Sequence, residues 1–201
     1  MTARDQPLHS FLDQLAARTP APGGGGAAAI TAAMAAGLVA MAARFSETRL
    51  PDAGDLAERA DELRRRAADL AEEDARAYAA VLEARRGSWD DARRRERVGE
   101  ALRGAAVVPL QIAELGARVA ELAARVAQAG NPNLRGDAVT GALLAAASAR
   151  SAACLVDINV GLGGLDPGLS RRADQLAAAA RDAAARVTTV HSSAERAGTE
   201  P

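Results

Sequence analysis

The stretch Gly26-Ala27-Ala28-Ala29-Ile30-Thr31-Ala32-Ala33-Met34-Ala35-Ala36-Gly37-Leu38-Val39-Ala40-Met41-Ala42-Ala43-Arg44-Phe45 carries a single charge and no proline. Ile30, Met34, Leu38, Met41 and Phe45 recur at the spacing of one helical face, while Ala and Gly37 occupy the others. A helix that is apolar all round is predicted to lie at the centre of a bundle, where small side chains let neighbouring backbones come close. The uncharged run from Thr19 to Ala43 is long enough to raise the question of a membrane span or signal peptide. Its opening holds two prolines and four glycines, its body is mostly Ala, and a helical segment with Asp5 and Asp13 precedes it. A soluble core helix, with no membrane contact, is the expectation.

Outward from this helix the pattern stays helical. Leu8, Phe11, Leu12 and Leu15 mark one face of a short first helix, which Pro20 and Pro22 end. A third helix, Asp52 to about Arg85, places Leu56, Ala60, Leu63, Ala67, Leu70, Asp74, Ala77 and Val81 on one stripe. The fourth, about Asp90 to Gln128, runs through Val98, Leu102, Ala105, Pro109, Ile112, Gly116, Val119, Ala123 and Val126. Pro109 falls in mid-stripe, so a kink is expected there, with the Ala105 carbonyl deprived of its usual donor. Gly130-Asn131-Pro132-Asn133 reads as a turn, and a fifth helix follows from about Asp137 to Val160 with Asp137 placed to cap it. Gly161-Leu162-Gly163-Gly164 and Pro167 close that helix, and Leu169, Ala173, Leu176, Ala180, Ala183, Val187 and Val190 trace a sixth. No strand pattern intervenes. The fold predicted is all-α, a single-domain bundle of about six helices over residues 1–201 with an Ala-rich central helix and frayed ends at 1–6 and 192–201.

Composition narrows the function classes. At 201 residues one core suffices, and with 49% hydrophobic but only 2% aromatic residues that core must be built from Ala, Leu, Val and Ile. A net charge of −1 argues against a general affinity for nucleic acid or anionic membrane. Cys154 is the single cysteine, so it has no internal disulfide partner and is read as a small core residue in a protein of the reducing cytoplasm. With only His9 and His191 beside it, both read as surface residues, no metal-ligand set at recognisable spacing exists and no metal is expected.

Two features point to chemistry. Pro20-Ala21-Pro22-Gly23-Gly24-Gly25-Gly26 reads on composition alone as a linker, yet it runs straight into a buried helix. Amides at a helix start lack intrahelical acceptors and attract a carboxylate, a phosphate or a polar ring edge, and glycines let a ligand approach closely. No Gly-Lys-Ser/Thr follows and no strand precedes, which excludes a P-loop and a dinucleotide fingerprint. The second feature is Asp74, a carboxylate on a core-facing stripe, which demands an ion-pair partner, an exposed edge or a raised pKa. Asp69 and Glu73 lie off that stripe and fit a solvated face, as does Arg93-Arg94-Arg95. Asn131, Asn133 and Asp137 are explained by turn formation and capping, and Asn159 either caps its helix or serves a site.

Together these residues resemble the formiminotetrahydrofolate cyclodeaminases and the related methenyltetrahydrofolate cyclohydrolases. The likeness rests on Phe11-Leu12-Asp13-Gln14-Leu15-Ala16 leading into Pro20-Ala21-Pro22-Gly23-Gly24-Gly25, on Asp74-Ala75-Arg76-Ala77-Tyr78, on Ala106-Val107-Val108-Pro109-Leu110, on Gly130-Asn131 with Asp137, and on Ile158-Asn159-Val160. Gly26 and Gly136 stand where relatives commonly carry Ser. The resemblance implies an all-helical fold, a homodimer and a tetrahydrofolate derivative as small-molecule substrate, with no further cofactor. It also implies that Asp74 is the catalytic acid or base, with Pro22, Gly23, Gly24, Gly25, Gly26, Asn131, Asp137 and Asn159 binding the ligand around it. The alternative is a dimeric helical protein that holds a folate or other anion without turning it over.

Overall fold

The computed structural model describes residues 6–86 and 90–197, with side chains through Thr188 apart from Asp91. Six α-helices follow in order: α1 (Leu8–Ala16), α2 (Gly24–Arg44), α3 (Ala53–Arg86), α4 (Asp91–Ala129), α5 (Arg135–Gly163) and α6 (Gly168–Ala197), with a short 3-10 turn, Pro132–Leu134, before α5. No strand occurs among the described residues. The backbone of α6 is helical through Ala197, beyond the Val190 at which the periodic stripe ends; the readings made for the side chains of Val190 and His191 lie outside the described residues.

Successive helices alternate in direction. Along α2 and α3, Arg44 meets Asp61 and Gly25 meets Asp74. Along α2 and α5, the Gly24 end faces Leu155, the Ser148 hydroxyl donates to the Ala28 carbonyl at 2.8 Å, and Asn131 meets Phe45 and Ser46. On α4 and α6, Glu114 pairs with Arg172 and Glu121 with Arg186, so these two pack directly and run parallel.

Alanine makes this bundle possible. Ala29, Ala32, Ala35, Ala36, Ala42 and Ala43 of α2 are fully buried against the neighbouring helices. Helices approach so closely that a Cβ at Gly116 of α4 would lie 2.9 Å from the Ala145 carbonyl oxygen and 3.0 Å from the Ala149 Cβ of α5.

The same packing covers α2 mainly on its small-residue side. Its large stripe does not point inward: Met34 and Phe45 are 50% and 63% exposed, and Ile30, Leu38 and Met41 only half-buried. Small residues win the interior because they allow close backbone approach, which leaves the long side chains on the open side. In α1 only Phe11 is buried, whereas Leu8, Leu12 and Leu15 remain exposed. Cys154 likewise lies exposed on α5 rather than in the core. Two helical segments, Gly24–Arg44 and Pro132–Gly163, are long and apolar enough to cross a bilayer by length and composition. Within the bundle, their alanine faces are packed against other helices.

Unequal helix lengths create the one feature that positions a site. With 21, 34 and 39 residues, α2, α3 and α4 extend about 31, 51 and 58 Å at the α-helical rise. The central helix therefore starts well below the end of its neighbours, and a cleft opens above its first turn.

Candidate active site

The cleft has a volume of about 400 Å³ and is walled by Pro20, Ala21 and Gly23–Gly25 from the loop and first turn of α2, and by Asp74, Tyr78, Val81 and Arg85 of α3. Leu102, Ala105 and Pro109 of α4 and Leu155, Ile158, Asn159 and Leu162 of α5 complete it. Four helices and one loop thus converge on a single space. The Ala21–Pro22 peptide is cis, and Gly23 is the extended residue from which α2 departs. Two of the three glycines expected to precede the helix, Gly24 and Gly25, are already inside its first turn, because α2 begins at Gly24 rather than Gly26.

Asp74 sits against that first turn. A Cβ on Gly25 would fall far inside contact distance of the Asp74 carboxylate, so only glycine leaves room for this arrangement. The Gly26 amide donates to the carboxylate, which spends one of the donors that a helix start leaves without an intrahelical acceptor. A Cβ at Gly26, by contrast, would make ordinary contacts at 3.5 Å with the Pro22 Cβ and 3.9 Å with the Ala71 carbonyl oxygen. Position 26 therefore has room for a Cβ, unlike position 25.

Asp74 is half-buried rather than enclosed. Burial nevertheless lifts its carboxyl above the ordinary carboxylate range, and the Gly26 hydrogen bond opposes that rise without cancelling it. No arginine compensates the charge among the described residues. The contrast with Glu73, one residue earlier, is direct: Arg66 holds Glu73 and pushes its carboxyl below the usual range, and Gln111 accepts from the same guanidinium at 2.8 Å. Two adjacent carboxylates thus have opposite fates, one neutralised by an ion pair and one left proton-hungry beside a cleft.

Asn159 explains what becomes of the carbonyl that Pro109 orphans. Its Nδ2 donates to the Ala105 carbonyl oxygen at 2.8 Å, one turn before the proline. That bond fixes which way the amide points and leaves Oδ1 and the second Nδ2 hydrogen as the groups available to a ligand in the cleft. Asn159 is not the C-terminal cap; Gly164, in a left-handed conformation, ends α5.

The structure does not bring Asn131 and Asp137 to this cleft. Asn131 closes the opposite end of α2: its amide donates to the Ser46 hydroxyl at 2.8 Å, its Nδ2 to the Phe45 carbonyl at 3.0 Å, and its Oδ1 accepts from the Asn133 amide at 3.0 Å. Its two donors tie the turn to the end of α2, and its Oδ1 and backbone carbonyl, which accepts from the Leu134 amide at 3.0 Å, hold the turn itself. Asp137 lies in the first turn of α5, which begins at Arg135, and makes no capping bond. The length of α2 separates both residues from Asp74 within one chain. The cleft gains instead Tyr78 and Arg85, which follow Asp74 at intervals of four and eleven. Their signal in the sequence was the same 4-3-4 spacing as the core stripe, continued through Tyr78 instead of Ala77.

Among the described residues, no group of His, Cys, Asp and Glu could hold a metal ion. The fold and the site define an all-helical bundle in which a glycine-built helix start faces an uncompensated carboxylate. The family model for formiminotransferase-cyclodeaminase matches residues 7–164, and the chain belongs to that family. It is 36% identical over 167 residues to the methenyltetrahydrofolate cyclohydrolase of Methylorubrum extorquens, covering 78% of this chain and 80% of that protein. It is 32% identical over 142 residues to mouse formimidoyltransferase-cyclodeaminase, covering 63% of this chain and 25% of that longer protein. The crystal structure of formiminotetrahydrofolate cyclodeaminase from Thermotoga maritima superposes with a TM-score of 0.83 at 26% identity, covering 92% of this chain and 96% of that one.

Proposed function

We propose that the protein is an enzyme acting on the one-carbon bridge of tetrahydrofolate, as a methenyltetrahydrofolate cyclohydrolase, a formimidoyltetrahydrofolate cyclodeaminase or both, with Asp74 moving the proton. The observation that carries this reading is Asp74 itself, desolvated, without a cationic partner and seated at the glycine turn. A carboxyl raised toward the working pH exchanges protons in both directions, which is the requirement for general acid and base catalysis.

In the hydrolytic reaction, water attacks the methenyl carbon while the Asp74 carboxylate takes one proton. The resulting carbinol loses its hydroxyl proton to solvent and collapses to a formyl group. One carbon–nitrogen bond breaks, and the protonated Asp74 returns its proton to the nitrogen that leaves. In cyclodeamination, N10 attacks the formimino carbon on N5, closes the five-membered bridge and passes its own proton to the imino nitrogen, which becomes an amino group. The protonated Asp74 then gives that group the second proton with which it leaves as ammonia when its carbon–nitrogen bond breaks. The free amides of the α2 turn and the Asn159 Oδ1 orient the heterocycle in both cases.

The working unit we propose is a cytoplasmic homodimer joined through the open face of α2 and α5. Met34 and Phe45 on α2, with Leu143 and Leu162 on α5, are about half exposed or more. The one charge on α2, Arg44, turns away to Asp61 of α3. A face this apolar and this poor in charge suits a second copy of itself.

Incubation of the purified protein with 5,10-methenyltetrahydrofolate, followed by its near-ultraviolet absorbance, tests hydrolysis. Ammonia release from 5-formimidoyltetrahydrofolate tests deamination. Neither signal above the uncatalysed rate, with folate still bound, would leave a binding protein in place of an enzyme.

A further inference from the structure

We propose that the cleft holds its ligand at both ends, with the Arg85 guanidinium receiving the glutamate carboxylate of the folate, a step that rests on the folate reading above. Asp74, Tyr78, Val81 and Arg85 all line the cleft. Their 4-3-4 spacing keeps them on one face of α3. Eleven residues at the α-helical rise set the backbones of Asp74 and Arg85 about 16 Å apart. The wall between them is apolar, with Val81 and Leu102 both buried and the Tyr78 ring at its edge.

Arg85 is the cationic residue of this lining, and no carboxylate engages it among the described residues. What marks Arg85 out is its position, as the one cationic side chain lining the cleft among the described residues. The order along the wall, a proton-exchanging carboxyl, an apolar flank, then a planar cation, follows the order of groups in the ligand. The one-carbon bridge comes first, the aminobenzoyl ring next, and the glutamate carboxylates last. A guanidinium fork matches a carboxylate in two parallel hydrogen bonds, which an ammonium cannot reproduce.

The test compares 5,10-methenyltetrahydrofolate with 5,10-methenyltetrahydropteroate, which lacks the glutamate, on the wild type and on Arg85→Ala, Arg85→Lys and Arg65→Ala. Arg65 is exposed on α3 outside the cleft, so its loss removes the same charge without the contact. Arg85→Ala should lower kcat/KM for the glutamyl substrate roughly tenfold to a hundredfold, the range for losing a charge-assisted hydrogen bond, and mostly through KM. For the pteroate the loss should stay below threefold, and Arg85→Lys should recover part of the glutamyl preference. Equal losses on both substrates, or an Arg65→Ala that reproduces the effect, would overturn the assignment. Calorimetric binding of tetrahydrofolate and tetrahydropteroate separates the two levels. A preference for the glutamyl form that depends on Arg85 without any turnover keeps the assignment and removes the reaction, whereas turnover without that preference does the reverse. No binding and no turnover overturns both.

Discussion

At the scale of the residue, Asp74 sets activity against stability. Its carboxyl titrates above the ordinary value once folded, because burial penalises the charged form more than the Gly26 amide favours it. Between the two values the folded protein binds more protons than the unfolded chain. Stability therefore falls as pH climbs from the ordinary carboxylate value through the raised one, and the full cost is present above it. Asp74→Asn removes the charge while keeping an acceptor for the Gly26 amide. Denaturant midpoints should be higher for Asp74→Asn than for the wild type at neutral pH, and the difference should vanish once the pH lies below the ordinary carboxylate value. Turnover should drop by roughly two to four orders of magnitude, the usual share of general acid–base catalysis, with folate affinity retained. A variant that is less stable at neutral pH would show that the carboxylate is compensated in a way this geometry does not contain. Glu73→Gln is the natural contrast, since the loss of a carboxylate held by Arg66 should not stabilise the fold.

At the scale of the element, Pro109 and Asn159 act as one device across α4 and α5. The proline takes away the donor that would have met the Ala105 carbonyl, and Asn159 supplies another at 2.8 Å from a different helix. Asn159→Ala should leave the carbonyl of a buried residue unpaired, at a cost of about 1–3 kcal/mol. In a Pro109→Ala background α4 regains its own donor, so the same truncation should cost markedly less. A double-mutant cycle by chemical denaturation measures the difference. Equal costs in the two backgrounds would mean that the proline and the amide are independent. This pair also marks where the sequence stops being readable. Periodicity located α2 to α5 to within two or three residues, because 3.6-residue patterning is a local property, but it stopped α6 near Val190, short of Ala197. It identified the orphaned carbonyl as well, from Pro109 alone. It could not say that Asn159 would find that carbonyl, since 54 residues separate the partners in the chain. Asp74 stood out because a charge on a core stripe violates a local rule. Asn131 and Asp137 carry no information in sequence about which end of the bundle they occupy, and only the pairing of α2 with α5 decides it. The facing of α2 was hidden for a related reason: a helix apolar all round does not show which side is covered, and close packing selected the alanine side.

At the scale of the whole molecule, the uncovered faces determine what must be added. A shallow groove between α2 and α5 is lined by Ala27, Thr31, Ala147 and Ser151, and the half-exposed Met34 and Leu143 stand on the same two helices. This groove runs toward the cleft, where Leu155 faces both the groove and the site. In an isologous dimer every residue of such a face appears twice, once on each copy, so a single buried charge is a double penalty. Met34→Arg and Leu143→Arg should each convert a dimer into a monomer, read by light scattering coupled to size exclusion at micromolar protein. The helical content should be unchanged, because both side chains are half exposed and leave the alanine core untouched. Arg171→Glu, an exposed change on α6 away from this face, should leave the oligomer intact. If the wild type is itself monomeric across that concentration range, the apolar face has another occupant. If Met34→Arg stays dimeric while a substitution on α1 dissociates the protein, the exposed Leu8 and Leu12 of α1 form the contact instead. Because the surface reaches Leu155, monomerisation should also weaken folate binding more than it lowers thermal stability. A structural dimer remote from the site would show the opposite order.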